Sequence, residues 1–256
     1  MLKLHQPQRF TQLPDAILFD IDNTLYPYQP AHERAMQALR QKAASQLSIS
    51  ADSFDAAFAQ ARAEVKQRLG HSAASHHRLL YLQRMLELVG LGSQVLLALD
   101  FEQSYWRTFL SHAELFPQVR ELLDDVRILG IPIALVTDLT AQIQFRKCIY
   151  FGLERHFECI VTSEEAGHDK PHAAPFEMAL AKLRPKGGTV WMIGDSAERD
   201  IRGARAAIGA ICLQKLHEGV TRGSGDSAPD ASFVDFADLR HWLNRQAGRE
   251  LQRGAA

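Results

Sequence analysis

Three short apolar runs in this sequence end in residues that can do chemistry. Ala16-Ile17-Leu18-Phe19 runs into Asp20-Ile21-Asp22-Asn23-Thr24. Ile131-Pro132-Ile133-Ala134-Leu135-Val136 runs into Thr137-Asp138, and Thr189–Ile193 into Gly194-Asp195-Ser196, with Asp200 five residues beyond Asp195. Lys170-Pro171 stands between the second and third of these. Carboxylates gathered within a few ångströms repel and raise one another's pKa values unless a cation neutralises them. A divalent ion does so most simply. An all-oxygen donor set suits Mg2+, which keeps several waters and prefers one or two carboxylates together with a phosphate oxygen. The chemistry these residues point to is that of a phosphorylated substrate.

Those residues meet only if the runs are strands of one sheet. Helical patterns over Gln118–Leu129, Ala141–Phe151, Ala174–Leu183 and Ile201–Ala207 alternate with strands over Ile131–Thr137, Cys159–Thr162, Thr189–Ile193 and Ala210–Leu213. A last strand and helix occupy Ser232–Gln246. Such alternation predicts right-handed βαβ crossovers and an α/β fold, a parallel Rossmann-like sheet flanked by helices, with ligands at the carboxyl ends of its strands. From Ala31 to His112 the pattern changes to Ala-, Leu- and Gln-rich segments with helical spacing and no run of β-branched residues. Four helices fit there, punctuated by Ser50, Gly70, Gly90 and Gly92. The expected organisation is an α/β core from residues 1–26 and 114–256, interrupted by an inserted α-helical bundle at 27–113. The first 15 residues are expected to be a leader, and the Gly- and Ser-rich Glu218–Pro229 a mobile loop.

The motifs Asp20-x-Asp22-x-Thr24, Thr137, Lys170-Pro171 and Gly194-Asp195-Ser196-x-x-x-Asp200, in that order, resemble the four motifs of the haloacid dehalogenase-like hydrolase superfamily. The resemblance covers residues 14–25 and 114–245, and the insert resembles that superfamily's type C1 cap. It implies that Asp20 is the nucleophile that forms an aspartyl-phosphate. Asp22 would be the acid and base, and Thr137 and Lys170 the groups that hold the phosphoryl oxygens. It further implies Mg2+ held by Asp20, by the backbone carbonyl of Asp22 and by Asp195, with Asp200 in support. The aspartate at position 22 argues against carbon–halogen cleavage, since members that do that chemistry carry another residue there and need no magnesium. Asp138 and Arg199 depart from the family pattern, in which asparagines are frequent at both places.

A cap supplies the contacts a phosphate site lacks, so Ser75-His76-His77-Arg78 at a helix start makes His76, His77 and Arg78 candidates for substrate binding, with Asp138 beside the phosphate. Tyr105 and Trp106 are expected to pack. The implied activity is a Mg2+-dependent phosphatase acting on a small phosphorylated metabolite such as a sugar phosphate, nucleotide or phospho-acid. A sugar-phosphate mutase would use the same motifs, and a non-catalytic binding module would be expected to have lost one.

Charge and composition bound the rest. The 256 residues carry 29 Lys+Arg against 30 Asp+Glu, which gives no polyanion-binding surface and so no nucleic-acid partner. No apolar run approaches the roughly 18 residues needed to cross a bilayer. The N-terminus lacks an apolar signal region, so a cytoplasmic location is expected; the sequence leaves monomer and homodimer both open. Cys148, Cys159 and Cys212 are odd in number and scattered, the pattern of buried free thiols. Arg245, Arg249 and Arg253, with Glu250 among them, suggest a solvated helix end.

Overall fold

Leu18, Ala134, Met192 and Cys212 are fully buried, and each lies on a strand with a neighbour on both sides, which is why the sequence around each is a run of apolar residues rather than an alternation. The computed structural model describes residues 1–254, with side chains as far as residue 248. The chain divides into two units, Met1–Tyr26 with Leu115–Ala256, and Pro27–Glu114.

The first unit begins with strands β1 (Lys3–Leu4) and β2 (Ala16–Phe19). The second holds helices α1 (Tyr28–Leu47), α2 (Ala51–Leu69), α3 (Arg78–Leu88) and α4 (Val95–Ser111). The first unit then resumes with α5 (Val119–Ile128), β3 (Ile133–Thr137), α6 (Ala141–Phe151), β4 (Cys159–Thr162), α7 (Ser163–Ala166), α8 (Ala173–Leu183) and β5 (Val190–Gly194). It closes with α9 (Gly203–Ile208), β6 (Ile211–Lys215), β7 (Ala231–Phe233) and α10 (Phe236–Gly254).

The sheet order is β1-β7-β6-β5-β2-β3-β4, parallel throughout except for the β1–β7 pair. One face packs Leu18, Val136 and Met192 against Phe176 and Ala179 of α8 and Ala204 of α9. The opposite face presents Trp191, stacked on Trp242 of α10 at 5.5 Å and met edge-on by Phe10 at 5.6 Å. Met192 and Trp191 are consecutive, so the two faces follow from the strand period of two.

The first 15 residues, expected to be a leader, are instead built into the α/β unit. β1 pairs with β7, Arg9 bonds to Asp230 at 2.8 Å, and Phe10 fills the space beside two tryptophans. The Gly- and Ser-rich stretch is also held: Arg205 donates to the carbonyls of Asp226 and Ala228, and the Gln214 amide joins Thr221 and Gly223. β6 runs past the expected Leu213 because Gln214 and Lys215 are themselves buried. A π-type turn, Ala197–Arg202, precedes α9. α10 continues beyond Gln246 with Arg245 exposed, while the side chains of Arg249, Glu250 and Arg253 lie outside the described residues.

In the helical unit α1 packs on α4 and α2 on α3, around Phe54, Phe58, Tyr81, Tyr105 and Phe109. Ser50 caps α2, accepting from the Ser53 amide at 3.3 Å, and Gly70 ends it with φ +59°. Among the described residues no helix is long and apolar enough to cross a membrane.

Candidate active site

β3, β2 and β5 are adjacent and parallel, with Phe19 level with Leu135 on one side and Ile193 on the other. Whatever follows these strands is therefore delivered to one edge. Asp20 follows β2, Thr137 ends β3, and Asp195 follows β5. Together with Lys170, from the loop before α8, they surround a cavity of about 230 Å³ that Asp22, Asp138, Ser196, Arg199 and Asp200 also line. That volume fits a phosphoryl group rather than a whole metabolite, since sites for drug-sized ligands measure about 300–1,000 Å³.

The Lys170 ammonium has three protons and three acceptors: Asp20 Oδ1 at 2.8 Å, Asp200 Oδ1 at 2.6 Å and the Val136 carbonyl at 3.0 Å. Thr24 Oγ1 donates to the other Asp20 oxygen at 3.0 Å. The Ser196 amide donates to Asp200 Oδ2 at 3.0 Å. A Cβ on Gly194 would lie 2.4 Å from that same carboxylate, so the strand can approach Asp200 only as glycine.

Carboxylate oxygens of Asp20, Asp195 and Asp200 all lie within 4.8 Å of one another, against one lysine. Burial, opposed by Lys170 and aided by Asp200 and Asp22, pushes Asp20 up to about 7. Burial, with Asp200 and Asp20 beside it, pushes Asp195 up to about 8. Excess negative charge in an all-oxygen donor set is a fit for a hard divalent cation.

Asp22 is separately held. Lys147 Nζ bonds to both its oxygens, at 2.6 and 2.8 Å, Gln144 Nε2 reaches Oδ2 at 3.3 Å, and the Tyr26 hydroxyl donates to Oδ1. Burial would raise this carboxyl, but the Lys147 ammonium and the hydrogen bonds outweigh it and hold it below the ordinary carboxylate range. Gln144 also donates to Thr137 Oγ1 at 2.7 Å and to the Asp138 carbonyl at 2.6 Å, tying β3's end to α6. Neither Gln144 nor Lys147 was among the residues expected at the site. The signal lay in helix 141–151, whose buried stripe of Ile143, Gln144, Lys147, Cys148 and Phe151 contains two polar residues where apolar ones belong.

Asp138 accepts from the Lys170 amide at 2.9 Å and faces Arg199 at 3.4 Å. Burial raises its carboxyl against the pull of Lys170 and Arg199. His76, His77 and Arg78 belong to the helical unit. The His77 ring accepts from the Leu79 amide at 3.2 Å and caps α3. The His76 carbonyl accepts from Arg78, whose guanidinium also meets the Tyr28 hydroxyl and lies 5.4 Å from the ring centroids of Tyr81 and Tyr105. Tyr105 and Trp106 are buried, as expected of packing residues.

A family model, haloacid dehalogenase-like hydrolase, matches residues 14–207. The chain belongs to this family. A ribulose-1,5-bisphosphate 5-phosphatase of Halopiger xanaduensis is 38% identical over 225 residues, which cover 87% of this chain and 94% of that protein. A glyceraldehyde 3-phosphate phosphatase of Methanopyrus kandleri is 28% identical over 218 residues, 84% of this chain and 91% of that protein. The HAD-hydrolase YfnB of Bacillus subtilis, solved bound to magnesium, shares the fold with a TM-score of 0.66 at 20% identity, covering 90% of this chain and 98% of that one. The chain is thus an enzyme, a hydrolase of the phosphatase kind.

Proposed function

We propose that the chain is a Mg2+-dependent phosphomonoesterase that hydrolyses a small phosphorylated metabolite through an aspartyl-phosphate on Asp20. The observation that carries this reading is the joint placement of the Asp20 carboxylate: 2.8 Å from Lys170 Nζ, inside the Asp20–Asp195–Asp200 cluster, and two residues before a second, separately held aspartate. Kinship with two phosphatases supports it, and what they act on, a sugar bisphosphate and a triose phosphate by their names, supports a small sugar phosphate as substrate.

Mg2+ would be held by Asp20, the Asp22 carbonyl and Asp195, and when bound it supplies positive charge to the phosphoryl oxygens. Asp20 attacks phosphorus in line, and the bond to the leaving oxygen breaks as Asp22 protonates that oxygen. Water then attacks the aspartyl-phosphate, its proton passes to Asp22, and the phosphorus–oxygen bond to Asp20 breaks to release inorganic phosphate. Lys170 and Thr137 hold the phosphoryl oxygens through both halves, where positioning and charge matter more than covalent help. Asp200 keeps Lys170 in place through its 2.6 Å ion pair. The helical unit acts as the cap, and His76, His77 and Arg78, with Asp138 of the core, contact the substrate.

The test is phosphate release from a panel of sugar phosphates, nucleotides and phospho-acids, with and without Mg2+. Release that requires Mg2+ and vanishes in Asp20→Asn, with the far-UV spectrum unchanged, is the expected result. A variant that retains most of its activity would remove Asp20 as nucleophile, and an isomeric sugar phosphate as product would make the enzyme a mutase.

A further inference from the structure

Both oxygens of Asp22 are engaged by one ammonium group. The Lys147 side chain is 0% exposed while that of Asp22 is 29% exposed, so the charge is brought from the protein interior to the rim of the cavity. Withdrawing an ammonium from water carries a desolvation penalty of several kcal/mol. A methionine at position 147 would fill α6's buried stripe without that penalty. The ammonium contacts both carboxylate oxygens, and with the Tyr26 hydroxyl on Oδ1 it resists rotation of the Asp22 carboxylate. Gln144, one helical turn earlier, spends its two amide protons on Thr137 Oγ1 and the Asp138 carbonyl, with Asp22 Oδ2 a longer 3.3 Å contact of the same nitrogen, so one face of α6 reaches two groups at the site.

We propose that Lys147 is a positioning residue for the second half of the reaction: it fixes the Asp22 carboxylate in the orientation from which it takes a proton from the water that cleaves the aspartyl-phosphate. The inference rests on the phosphatase reading above. In that half an oxygen–phosphorus bond forms from water and the bond from phosphorus to Asp20 breaks, its electron pair returning to the Asp20 carboxylate. The water's proton goes to Asp22. The first half asks the reverse of Asp22, that it give a proton to the departing alcohol. A leaving group that departs as a stable anion does not need that proton, so an aryl phosphate such as p-nitrophenyl phosphate separates the two halves.

The experiment is steady-state and rapid-mixing kinetics of the full chain with Mg2+ and p-nitrophenyl phosphate. In Lys147→Met, kcat falls about 10- to 100-fold, toward the size of a lost general base. The ratio kcat/KM, which stops at phosphorylation, stays within about threefold of wild type. A burst of nitrophenol equal to the enzyme concentration appears as aspartyl-phosphate accumulates, and Lys147→Arg restores part of kcat. Should Lys147→Met fail to fold, Lys147→Gln is read in the same way. An unchanged kcat overturns the inference, and so does a parallel loss of kcat and kcat/KM without a burst, which marks only a smaller active fraction. A wild type that releases no phosphate from any compound overturns the phosphatase reading itself, whereas failure of this inference alone leaves wild-type turnover intact.

Discussion

Arg199 places Nη1 3.4 Å from Asp138 Oδ2, so the two positions at which the chain departs from its family's frequent asparagines answer each other in charge. The other Asp138 oxygen accepts from the Lys170 amide, as the side-chain carbonyl of an asparagine could. The extra negative charge at the cavity rim is what Arg199 offsets. Arg199 is half exposed, and pairs of that kind are worth about 1 kcal/mol or less, roughly a fivefold change in an equilibrium. Arg199→Ala is therefore expected to weaken inhibition by inorganic phosphate about two- to fivefold. Asp138→Asn is expected to strengthen it, and the double variant to resemble Asp138→Asn alone. Additive effects in the cycle would show that the two residues act independently.

The raised carboxyls would give a cation bound among them a signature that needs no turnover. In the folded, cation-free protein Asp20 and Asp195 hold their protons up to about 7 and about 8, while in the unfolded chain both release them near the ordinary aspartate value of 3.8. Over that window the folded state binds more protons, so stability falls as pH rises. In chelator the melting temperature is expected to decline from pH 5 to pH 8. Saturating Mg2+ takes the place of those protons and should flatten the decline. At a hundredfold excess over its dissociation constant it adds about 2.7 kcal/mol, about 5–10 °C for a chain of this size. Melting curves at pH 8 that coincide with and without Mg2+ would exclude a cation at the carboxylate cluster.

Much of this arrangement is legible in the sequence, because a buried strand that ends in Asp-x-Asp or Gly-Asp-Ser announces both its burial and its carboxyl end. Asp20, Thr137 and Asp195 meet because parallel strands deliver their ends to one edge, a matter of topology that alternation of elements already implies, and Lys170 and Asp200 join them from the segments that lead into α8 and α9. What escapes is set by contacts between distant segments. β1 is two residues long and shows no periodicity, and Phe10 is recognisable as core only once Trp191 and Trp242 stand around it. Lys147 lies 125 residues from Asp22. A lysine on a helix is ordinarily solvated, and only its place on the apolar stripe marks it as something else. The Gly- and Ser-rich stretch misleads in the opposite sense, since its composition says nothing of Arg205 and Gln214, the side chains that bind its carbonyls and amides.

Arg78 stands apart from the other cap candidates because no carboxylate pairs with it among the described residues and its Nε is buried without a hydrogen-bond partner. It borders a cavity of about 590 Å³ within the helical unit, which Tyr28, His32 and Arg62 also line. Burial, with Arg78 and Arg62 close by, pushes His32 down to about 4; Arg40 is paired with Asp55 on the cavity wall, which leaves Arg62 and Arg78 facing Glu33 there. Arg78→Met is expected to raise KM about tenfold for a substrate with a second anionic group, worth about 1.4 kcal/mol, with kcat within threefold. If Arg78 serves packing alone, resting in its aromatic cage, the variant will lose melting temperature and leave KM where it was.

Lys215 offers a test of burial that is compensated only in part. Its side chain ends β6 at 1% exposure, with Nζ donating to the Leu216 carbonyl at 3.0 Å and lying 3.9 Å from the centroid of the Phe116 ring. Burial, resisted by the more distant Asp235 and Asp195, lowers its pKa from 10.5 to about 8. The folded state therefore prefers the neutral amine, and the cost of charging it is fully present below pH 8 and disappears as pH rises toward the unfolded value. A shift of this size corresponds to about 3 kcal/mol at 1.36 kcal/mol per unit, and the cation–π contact with Phe116 returns about 1–2 kcal/mol of it. Desolvation wins by a narrow margin. Lys215→Met is expected to stabilise the protein at pH 7 by about 1–2 kcal/mol, measured by urea unfolding, with a gain that shrinks as pH approaches 10.5. A variant less stable than wild type at pH 7 would mean that the Phe116 ring and the Leu216 carbonyl hold the ammonium more strongly than water does.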